Sequence, residues 1–403
     1  MNASRKHPLP MPDSKLLAYA RRVRHDLHRI PELGFLENRT AAYLCGELQR
    51  MKIPFKSGLA GGTGIVALIS GKQSRHGVIA LRAEMDGLPV SEATKAPYAS
   101  EIPGRMHACG HDGHMAIALA TARWLWQQRD ALHGGVVVFF QPAEEGLNGG
   151  YEMCKALKQL GLNPHAVFGL HGWPELPVGT LATRPGVFLA AVDTIGITVY
   201  GKQTHVSQPR SGIDPIVCAA ALHRQISEAS AAHAVGDALV FSIGCFHAGT
   251  AANVIPEIAE LRGTLRTLSA AAREAKLSSV RADCAAIGRR YKCRVEMKIV
   301  SATPALVNDP LCTEILMDHG RHILGRRQTR SVENPYLWSE DFAYFLQQTR
   351  GCFFALGTRP AGRKTYPMLH SPHYDFPDAA LEPGIRIMAS LGMQTAEHFG
   401  DRT

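Results

Sequence analysis

The stretch Gly135-Val-Val-Val-Phe-Phe-Gln-Pro-Ala-Glu-Glu-Gly146 joins an uninterrupted apolar run to a pair of carboxylates. Two other stretches have the same form: Gly77–Leu81 is followed by Arg82-Ala-Glu-Met-Asp86, and Ala166–Leu170 is followed by His171-Gly-Trp-Pro174. Short apolar runs without alternation are typical of strands buried on both faces of a largely parallel sheet. Because ligands bind outside the carboxyl ends of the strands in open α/β sheets, the three polar clusters predict one site.

Helical stretches flank these strands, which predicts an α/β architecture. Residues 13–30 have helical spacing behind Asp13, a side chain suited to the N-cap, and a second helix is predicted over Asn38–Met51. A third helix is predicted over Asp112–Arg129, and Cys352–Leu356 is predicted as the closing strand of the same domain.

The pattern changes after Pro185-Gly186. Strands and helices are then predicted in the order β-α-β-β-α-β, which is the order of a ferredoxin-like module. These elements are predicted at Val192–Tyr200, Asp214–His233, Ala238–Phe246, Glu257–Leu268, Ser269–Gly288 and Lys292–Ser301. We therefore predict a two-domain α/β protein, with a metallopeptidase-like catalytic domain over 1–186 and 302–403 and an inserted ferredoxin-like satellite domain over 187–301.

The composition excludes several classes of protein. The chain has 403 residues, of which 45% are hydrophobic and 20% charged, and a formal net charge of +9. These values exclude a disordered tail, a collagen-like chain and a small disulfide scaffold. The basic residues are scattered, so we predict no nucleic-acid partner, although the charge is compatible with carboxylate-bearing substrates. Apolar runs stay below the roughly 18 residues of a membrane helix, so we predict no membrane partner.

The nine cysteines are odd in number and form no Cys-x-x-Cys pair. Most of them stand in apolar surroundings, which is the pattern of reduced, buried thiols. The segment Met1–Pro8 has no apolar core of signal-peptide length. We therefore expect a cytoplasmic protein.

The stretch Met106-His-Ala-Cys-Gly-His-Asp-Gly-His114 has three histidines and one cysteine within eight residues. This composition is typical of metal ligands, although it matches no zinc-finger spacing. A tight bend at the intervening glycine would turn Cys109 and His111 toward one ion. The same stretch also fits a helix N-terminus in which Asp112 is the cap, His114 faces inward and Cys109 is a buried thiol.

The pair Glu144-Glu145 follows a fully apolar strand. Side chains of neighbouring loop residues diverge, so one carboxylate can bind a metal while the other moves a proton. Metal-assisted hydrolysis needs that division of roles. His171 occupies the equivalent strand-end position and is a further candidate ligand. The motif Met368-Leu-His-Ser-Pro-His373 offers His370 and His373, between which the residues alone do not decide.

A series of motifs spans nearly the whole chain. They are Leu81–Val90, Met106–His114, Phe140–Gly146, His171–Gly179, His205–Pro209 with Gly212–Pro215, Ala252–Pro256 with Arg262–Thr267, Ser339–Phe342 and Leu369–Pro372. In this order they resemble a known family, the dinuclear-metal aminoacylase and carboxypeptidase group of metallopeptidases. The sequence is most similar to its branch of hippurate hydrolases, indole-acetyl-amino-acid hydrolases and related N-acyl-amino-acid amidohydrolases.

The resemblance implies two divalent metal ions (Mn, Zn, Co or Ni), held by Cys109, His111, Glu145, His171 and His370. Glu144 is then the general base, which takes a proton from the attacking water and returns it to the leaving amine, and Asp86 orients a ligand. The family also forms dimers through its satellite domain, so a homodimer is implied in which His205 reaches the partner's site and stabilises the oxyanion. Asn253 and Arg266 would hold the substrate carboxylate. The residues alone equally allow these last three to be hydrogen-bonded strand-end or loop residues.

Several positions depart from the pattern usual in the family. Glu84 stands where Asp is usual and Gly87 where Ala is usual, and both replacements are conservative. Val206-Ser207 replace two alanines after His205, so this loop could pack differently. Trp338 stands where a glycine is common, and it could narrow the acyl side of the pocket or pack in the core.

These observations predict a metal-dependent amidohydrolase that cleaves N-acyl amino acids to a carboxylic acid and a free amino acid. Hippurate-like acyl groups are the first expectation, and N-acetyl amino acids, N-acetyl-diaminopimelate, auxin-type conjugates and dipeptides are alternatives within the class. Two alternatives belong to other classes: a hydrolase with Cys109 as nucleophile and His111 as its base, and a non-catalytic binding protein. A mechanism with Cys109 as nucleophile would leave Glu145, His171 and His370 without a role. The second is disfavoured because Glu144 and all the ligands are present.

Overall fold

The computed structural model describes residues 12–71, 73–231, 239–394 and 399. The chain divides into two units, the first made of the described residues up to Phe188, of Val307–Asn334 and of those from Asp341 onward. The second unit contains Leu189–Leu306 and also Pro335–Glu340. The sequence analysis placed the domain boundaries between 186 and 187 and between 301 and 302. It also placed residues 335–340 in the catalytic domain, whereas they belong to the second unit.

Ten α-helices and sixteen strands occur in the described residues. The helices are α1 (Ser14–His28), α2 (Asn38–Arg50), α3 (His111–Gln127), α4 (Glu144–Leu147), α5 (Gly149–Gln159), α6 (Pro215–Ala231), α7 (Ala270–Tyr291), α8 (Pro310–Ile323), α9 (Ala343–Gln348) and α10 (Leu381–Gln394). The strands are β1 (Phe55–Leu59), β2 (Gly64–Ser70), β3 (Gln73–Glu84), β4 (His133–Gln141), β5 (Ala166–Pro177), β6 (Leu181–Thr183), β7 (Gly186–Leu189), β8 (Ala191–Tyr200), β9 (Thr204–His205), β10 (Leu239–Ala248), β11 (Val254–Ile255), β12 (Ile258–Thr267), β13 (Arg294–Thr303), β14 (Leu306–Asn308), β15 (Thr329–Ser331) and β16 (Arg350–Arg359).

An eight-stranded sheet in the order β1-β2-β4-β3-β5-β16-β6-β15 is the framework of the first unit. Its centre, β4-β3-β5-β16, is parallel. By contrast, β1 and β2 pair antiparallel, β2 runs antiparallel to β4, and β6 runs antiparallel to β16. The four apolar runs predicted as strands are β3, β4, β5 and β16, so the predicted parallel arrangement holds for the centre of the sheet. The predicted α/β fold class is confirmed.

Helix α3 is the central helix of this unit, because it packs against α1, α10 and the sheet and is buried around most of its circumference. Its first residue is His111, so its N-terminus lies beside the polar end of β3, where Asp86 follows the strand. Helix α1 begins as predicted: the Asp13 carboxylate accepts a hydrogen bond from the N–H of Leu16 at 2.8 Å.

The second unit has the predicted β-α-β-β-α-β order. Its sheet, β10-β12-β8-β13, is antiparallel throughout, and α6 and α7 pack on one of its faces. This is the ferredoxin-like arrangement. The Asp214 carboxylate accepts from the N–H of Ile216 at the start of α6, as the sequence predicts. The predicted helix end at His233 and strand start at Ala238 lie outside the described residues.

All nine cysteines lie in the described residues and none forms a disulfide. Cys245 is exposed, Cys45 and Cys154 are half-buried, and the other six are buried. Within the part of the chain that the structure describes, no helix is both long and apolar enough to cross a membrane.

Candidate metal centre

The predicted strand-end site forms in the first unit, around the loop that precedes α3. Gly110 is the N-cap of α3 and has a φ of +88°, a left-handed conformation that favours glycine. The bend there turns Cys109 and His111 toward one pocket, where their ligand atoms and a carboxylate oxygen of Glu145 lie within 4.8 Å of one another. A side chain at position 110 would also meet the ring of Phe376, which is 3.0 Å from the ideal Cβ.

The Cys109 thiol lies at the centre of this cluster. Its Sγ is 3.3 Å from Nε2 of His171 and 3.3 Å from Nε2 of His370. His370 has a φ of +65°, and its backbone N–H donates to the carbonyl of Ala108 at 2.8 Å. A left-handed conformation costs energy for a non-glycine residue, and such strain is concentrated at functional sites. Both His370 and His373, the other candidate in that motif, are exposed, and it is Nε2 of His370 that lies beside the Cys109 thiol.

Hydrogen bonds determine which nitrogen of two imidazoles can bind a metal. Nδ1 of His111 is 2.9 Å from the carbonyl oxygen of Asp86, and Nδ1 of His171 is 2.9 Å from that of Gly172. Because a carbonyl only accepts, each Nδ1 carries the proton and each Nε2 presents a lone pair. Nε2 of His111 and Oε1 of Glu145 are buried without a hydrogen-bond partner in the described structure. Unpaired buried acceptors are costly unless a cation lies between them, so this donor set fits a divalent metal.

Three buried carboxylates hold the loop that carries Glu144 and Glu145. Its backbone N–H groups donate to them as follows: Ala143 to Glu37 at 2.9 Å, Glu145 to Asp86 at 2.9 Å and Gly150 to Asp341 at 2.6 Å. The Glu145 carboxylate thereby joins the Cys109 cluster, whereas Glu144 is half-buried and its carboxylate lies within 4.8 Å of an oxygen of Asp341. The two neighbouring carboxylates therefore diverge, as the sequence predicts.

The metal-free pocket has a surplus of negative charge. Burial raises the pKa of the Cys109 thiol well above its usual value, and the charge of Glu145 raises it further. Burial acts in the opposite direction at His111, but the hydrogen bond with Asp86 and the charge of Glu84 outweigh it and raise the pKa of His111 to about 10. A divalent cation would offset this charge and displace the protons.

A second group of possible ligand atoms shares His111 and His171 with the predicted ligand set. It consists of Glu84, His111, His114 and His171, whose ligand atoms all lie within 4.8 Å of one another. The two groups overlap at His111 and together contain six residues with possible ligand atoms. His114 is buried, as its predicted inward orientation requires.

Two residues that hold the Glu144–Glu145 loop were missed by the sequence analysis. Asp341 stands in the motif Ser339–Phe342, so its place in the series of motifs was the available signal. Glu37 precedes α2 and has no such signal, because its partner in the loop is 106 residues away along the chain.

The alternative for this stretch, in which Asp112 is the cap of α3, does not hold in the structure. The N-cap is Gly110, which has no side chain to offer. Asp112 is instead buried, and its Oδ2 lies 2.8 Å from Nδ1 of His28 and 3.3 Å from Nη1 of Arg24. Although burial alone would raise the pKa of Asp112, the charge of His28 and its hydrogen bond keep this pKa well below its usual value. These buried contacts of Asp112 with Arg24 and His28 connect the start of α3 with α1.

In the second unit, the fold brings His205 and Asn253 together. His205 pairs with Val254 across β9 and β11, the N–H of Val206 donates to the carbonyl of Asn253 at 3.2 Å, and both predicted site residues are exposed. Nδ1 of His205 accepts from the N–H of Ser207 at 3.2 Å and is 2.7 Å from its Oγ. A neutral His205 therefore carries its proton on Nε2. Ser207, one of the departures from the family pattern, orients this ring.

Arg266 lies near the end of β12 and contacts the segment Pro335–Glu340 of the same unit. Its Nη1 donates to the carbonyl of Leu337 at 2.8 Å, and burial lowers the pKa of its guanidinium. Trp338 is half-buried, its ring centroid is 6.4 Å from that of Tyr336, and its carbonyl accepts from the N–H of Ala190 at 2.8 Å.

A strand-end pocket of thiol, imidazole and carboxylate donors in an α/β unit, accompanied by a ferredoxin-like unit, defines a metal-dependent hydrolase. The chain belongs to Peptidase family M20/M25/M40, whose sequence profile matches residues 80–394. The predicted family of metallopeptidases is thus confirmed, and the general class is that of the metal-dependent amidohydrolases.

Relatives and solved structures agree with this placement. The N-acetyldiaminopimelate deacetylase of Enterococcus faecalis is 35% identical, over 92% of this chain and 96% of its own length. The N-acetylcysteine deacetylase of Bacillus subtilis is 34% identical, over 93% of this chain and 96% of its own length. The crystal structure of the Bacillus subtilis YXEP protein, a dinuclear metal binding peptidase of the M20 family, has a TM-score of 0.82 and 33% identity and covers 96% of this chain and 99% of its own.

Replacing the central thiol tests the donor set. We expect Cys109→Ala to weaken metal binding by more than about 100-fold, because the variant lacks the thiolate that lies between the two histidines. Metal content after dialysis, measured by inductively coupled plasma mass spectrometry, gives the result. Cys45→Ala, which removes a half-buried thiol from α2, is the control and should bind metal as the unaltered protein does. Unchanged metal content in Cys109→Ala would exclude this residue as a ligand.

Proposed function

We propose that this protein hydrolyses the amide bond of N-acyl amino acids and releases a carboxylic acid and a free amino acid. One observation carries the proposal: Glu145 belongs to a cluster of metal-binding donors around Cys109, and the preceding residue, Glu144, is a half-buried carboxylate whose charge acts on the Cys109 thiol and raises its pKa. Hydrolysis of an unactivated amide needs an electrophilic ion and a nearby proton acceptor. Two relatives named as deacetylases of N-acetylated amino acids support this substrate class.

Five residues are proposed to hold two divalent ions: Cys109, His111, Glu145, His171 and His370. A thiolate with imidazoles and a carboxylate suits Mn, Zn, Co or Ni. When bound, the ions would polarise the amide carbonyl and favour ionisation of water. The chain contributes the orientation of the ligands, because the carbonyls of Asp86 and Gly172 keep both Nδ1 atoms protonated and both Nε2 atoms available.

Glu144 is proposed as the general base. Its carboxylate takes a proton from the attacking water and delivers it to the leaving nitrogen, while its neighbour Glu145 is committed to the metal cluster. Asp86 is proposed as the residue that orients the ligands. Its carbonyl accepts from His111 and its carboxylate accepts from the N–H of Glu145, so one residue positions two ligands.

A second copy of the chain is proposed to complete the site, through a homodimer formed by the satellite domain. His205 is exposed and directs an Nε2–H outward, which is the donor that a tetrahedral oxyanion needs. Asn253, in the facing segment, and Arg266 are proposed to hold the substrate carboxylate. Arg266 uses one Nη1–H on the carbonyl of Leu337, and its other N–H groups can serve a carboxylate.

Hippurate-like aromatic acyl groups are proposed as the preferred substrates. N-acetyl amino acids, including N-acetyl-diaminopimelate, are the second candidate, which the names of the two deacetylase relatives specifically support. A mechanism with Cys109 as nucleophile and His111 as its base is less well supported. The nitrogens found 3.3 Å from Cys109 Sγ belong to His171 and His370, and Nδ1 of His111 is engaged by Asp86.

Glu144→Gln tests the general base. We expect kcat to fall by about 100- to 10,000-fold, because an amide cannot accept the proton, while the metal content stays unchanged. Steady-state hydrolysis and metal analysis of the same preparation give the two values. Glu152→Gln, which neutralises a partly exposed glutamate on α5, should keep full activity. Retained turnover in Glu144→Gln would remove this residue from the mechanism.

A substrate panel with metal-stripped and reloaded protein tests the reaction itself. Hippurate, N-acetyl-methionine, N-acetyl-diaminopimelate and an indole-acetyl amino acid are offered before and after addition of Mn, Zn, Co or Ni. We expect activity only after metal addition, because the donor cluster needs a cation. Full activity of the stripped protein would favour Cys109 as nucleophile. Absence of hydrolysis across the panel by metal-loaded protein would exclude the proposed substrate class.

Mixed dimers test whether His205 serves the partner's site. His205→Ala and Glu144→Gln are each expected to be nearly inactive alone. Random re-association makes half of the dimers mixed, and each mixed dimer then has one complete site. We expect about one quarter of the unaltered activity to return on mixing. If His205 acted within its own subunit, the mixture would stay inactive.

A further inference from the structure

Two buried residues beside the metal centre have no part in the chemistry proposed so far. Glu84, at the end of β3, is 0% exposed, and His114, one turn into α3, is 1% exposed. Nδ1 of His114 lies 2.9 Å from Oε2 of Glu84. Burying a charged carboxylate is costly, so the buried Glu84 side chain needs a partner that compensates its charge.

The protonation state of His114 follows from its two partners. Its Nε2 accepts a hydrogen bond from the backbone N–H of Gly172 at 2.9 Å. An amide N–H only donates, so Nε2 carries no proton. The single proton of the neutral ring is therefore on Nδ1, where it is donated to the Glu84 carboxylate. A carboxylate accepts and does not donate when ionised, so Glu84 holds His114 in this tautomer.

Gly172, whose backbone N–H is bound by His114, also contacts a metal ligand. The N–H of Gly172 is bound by His114, and the carbonyl of Gly172 accepts from Nδ1 of His171. The opposite side of Gly172 is closely packed, because an added Cβ would lie 3.1 Å from the ring of Phe376. The ring of His171 is therefore directed by the carbonyl of Gly172, and the backbone N–H of the same residue is held by His114.

Glu84 also has a charged partner, Arg82, two residues earlier in the chain. Arg82 forms an ion pair with Glu84, and Nη2 of Arg82 lies 3.0 Å from Oδ1 of Asp341. Nε of Arg82 also donates to the side-chain carbonyl of Gln141 at 2.9 Å. Asp341 accepts from the N–H of Gly150, in the loop that carries the two catalytic-site glutamates. The buried chain of polar contacts thus links the end of β3 with that loop.

We propose that Glu84 and His114 are positioning residues that fix the direction and tautomer of the metal ligand His171 through the backbone of Gly172, whose N–H is bound by His114 and whose carbonyl accepts from His171. This inference rests on the metal centre of the proposed function. It assigns His114 to the support of the site and not to the ligand set. Binding a metal through Nε2 would require His114 to release the N–H of Gly172, which would leave that group buried and unpaired.

Two conservative variants of His114 separate these roles. In His114→Gln the side-chain oxygen can replace Nε2 as acceptor for the N–H of Gly172, whereas His114→Asn is too short and retains only a donor toward Glu84. His319→Asn is the matched control, because His319 is another buried histidine, on α8, which hydrogen-bonds to Ser390. Its loss should affect folding but leave the metal centre intact.

Cobalt binding to each metal-stripped protein is the measurement. Equilibrium dialysis gives the dissociation constant and the number of ions bound at saturation, and the visible spectrum of bound cobalt reports the ligand geometry. We expect two ions at saturation in all variants. His114→Asn should bind cobalt about 10- to 100-fold more weakly with an altered spectrum, and His114→Gln should stay within about threefold of the unaltered protein. The melting temperature of each metal-free variant confirms folding.

The cobalt measurements distinguish a ligand from a positioning residue at His114. Loss of one cobalt ion at saturation in both His114 variants would make His114 a ligand and overturn the proposal. Binding by His114→Asn with an unaltered dissociation constant and spectrum would show that no positioning occurs. An unaltered protein that binds two cobalt ions but hydrolyses none of the N-acyl amino acids would refute the substrate class while the cobalt comparison still tests His114. An unaltered protein that binds no cobalt would overturn both.

Discussion

Electron-pair donors that are buried together without hydrogen-bond donors to satisfy them are the central constraint of the first unit. Sγ of Cys109 is 3.3 Å from Nε2 of His171, and Nε2 of His111 and Oε1 of Glu145 have no hydrogen-bond partner in the described structure. Such a group of acceptors is costly to bury unless protons or a cation share their lone pairs. The hydrogen bonds of the surrounding fold hold these atoms in place without a cation.

The fold meets this need mainly through backbone groups. Carbonyl oxygens of Asp86 and Gly172 accept from the Nδ1–H groups of two imidazoles, and the left-handed backbone at Gly110 and at His370 turns ligands toward the cluster. Carboxylates act in the complementary way, because Glu37, Asp86 and Asp341 each accept from a backbone N–H of the loop around Glu144. Polar groups of the main chain and of buried side chains thus satisfy one another at these contacts, while Nε2 of His111 has no hydrogen-bond partner in the described structure.

Much of the architecture could be predicted from sequence, because it depends on local patterns. The apolar runs that became β3, β4, β5 and β16 are buried on both faces, and the alternating strands of the second unit form a half-covered antiparallel sheet. Residues such as Glu37 and Ser207 escaped prediction for a different reason. A surface-like glutamate before a helix, or a serine after an exposed histidine, has no local pattern that shows its hydrogen-bond partner. For Asp112 the local pattern offered a helix cap as one alternative, whereas its partners lie in α1.

The sequence by itself determined the chemistry that is available: one thiol, imidazoles and paired carboxylates at the ends of apolar strands, in the motif order of a metal-dependent amidohydrolase family. Residue type decides which atoms can bind a metal or move a proton, and that information is complete in the chain. Only the tertiary structure decided which nitrogen of each histidine is open, which glutamate joins the Cys109 cluster, and that His114 contacts Gly172. Those outcomes depend on hydrogen-bond partners from distant segments, which meet only when the sheet and α3 are assembled.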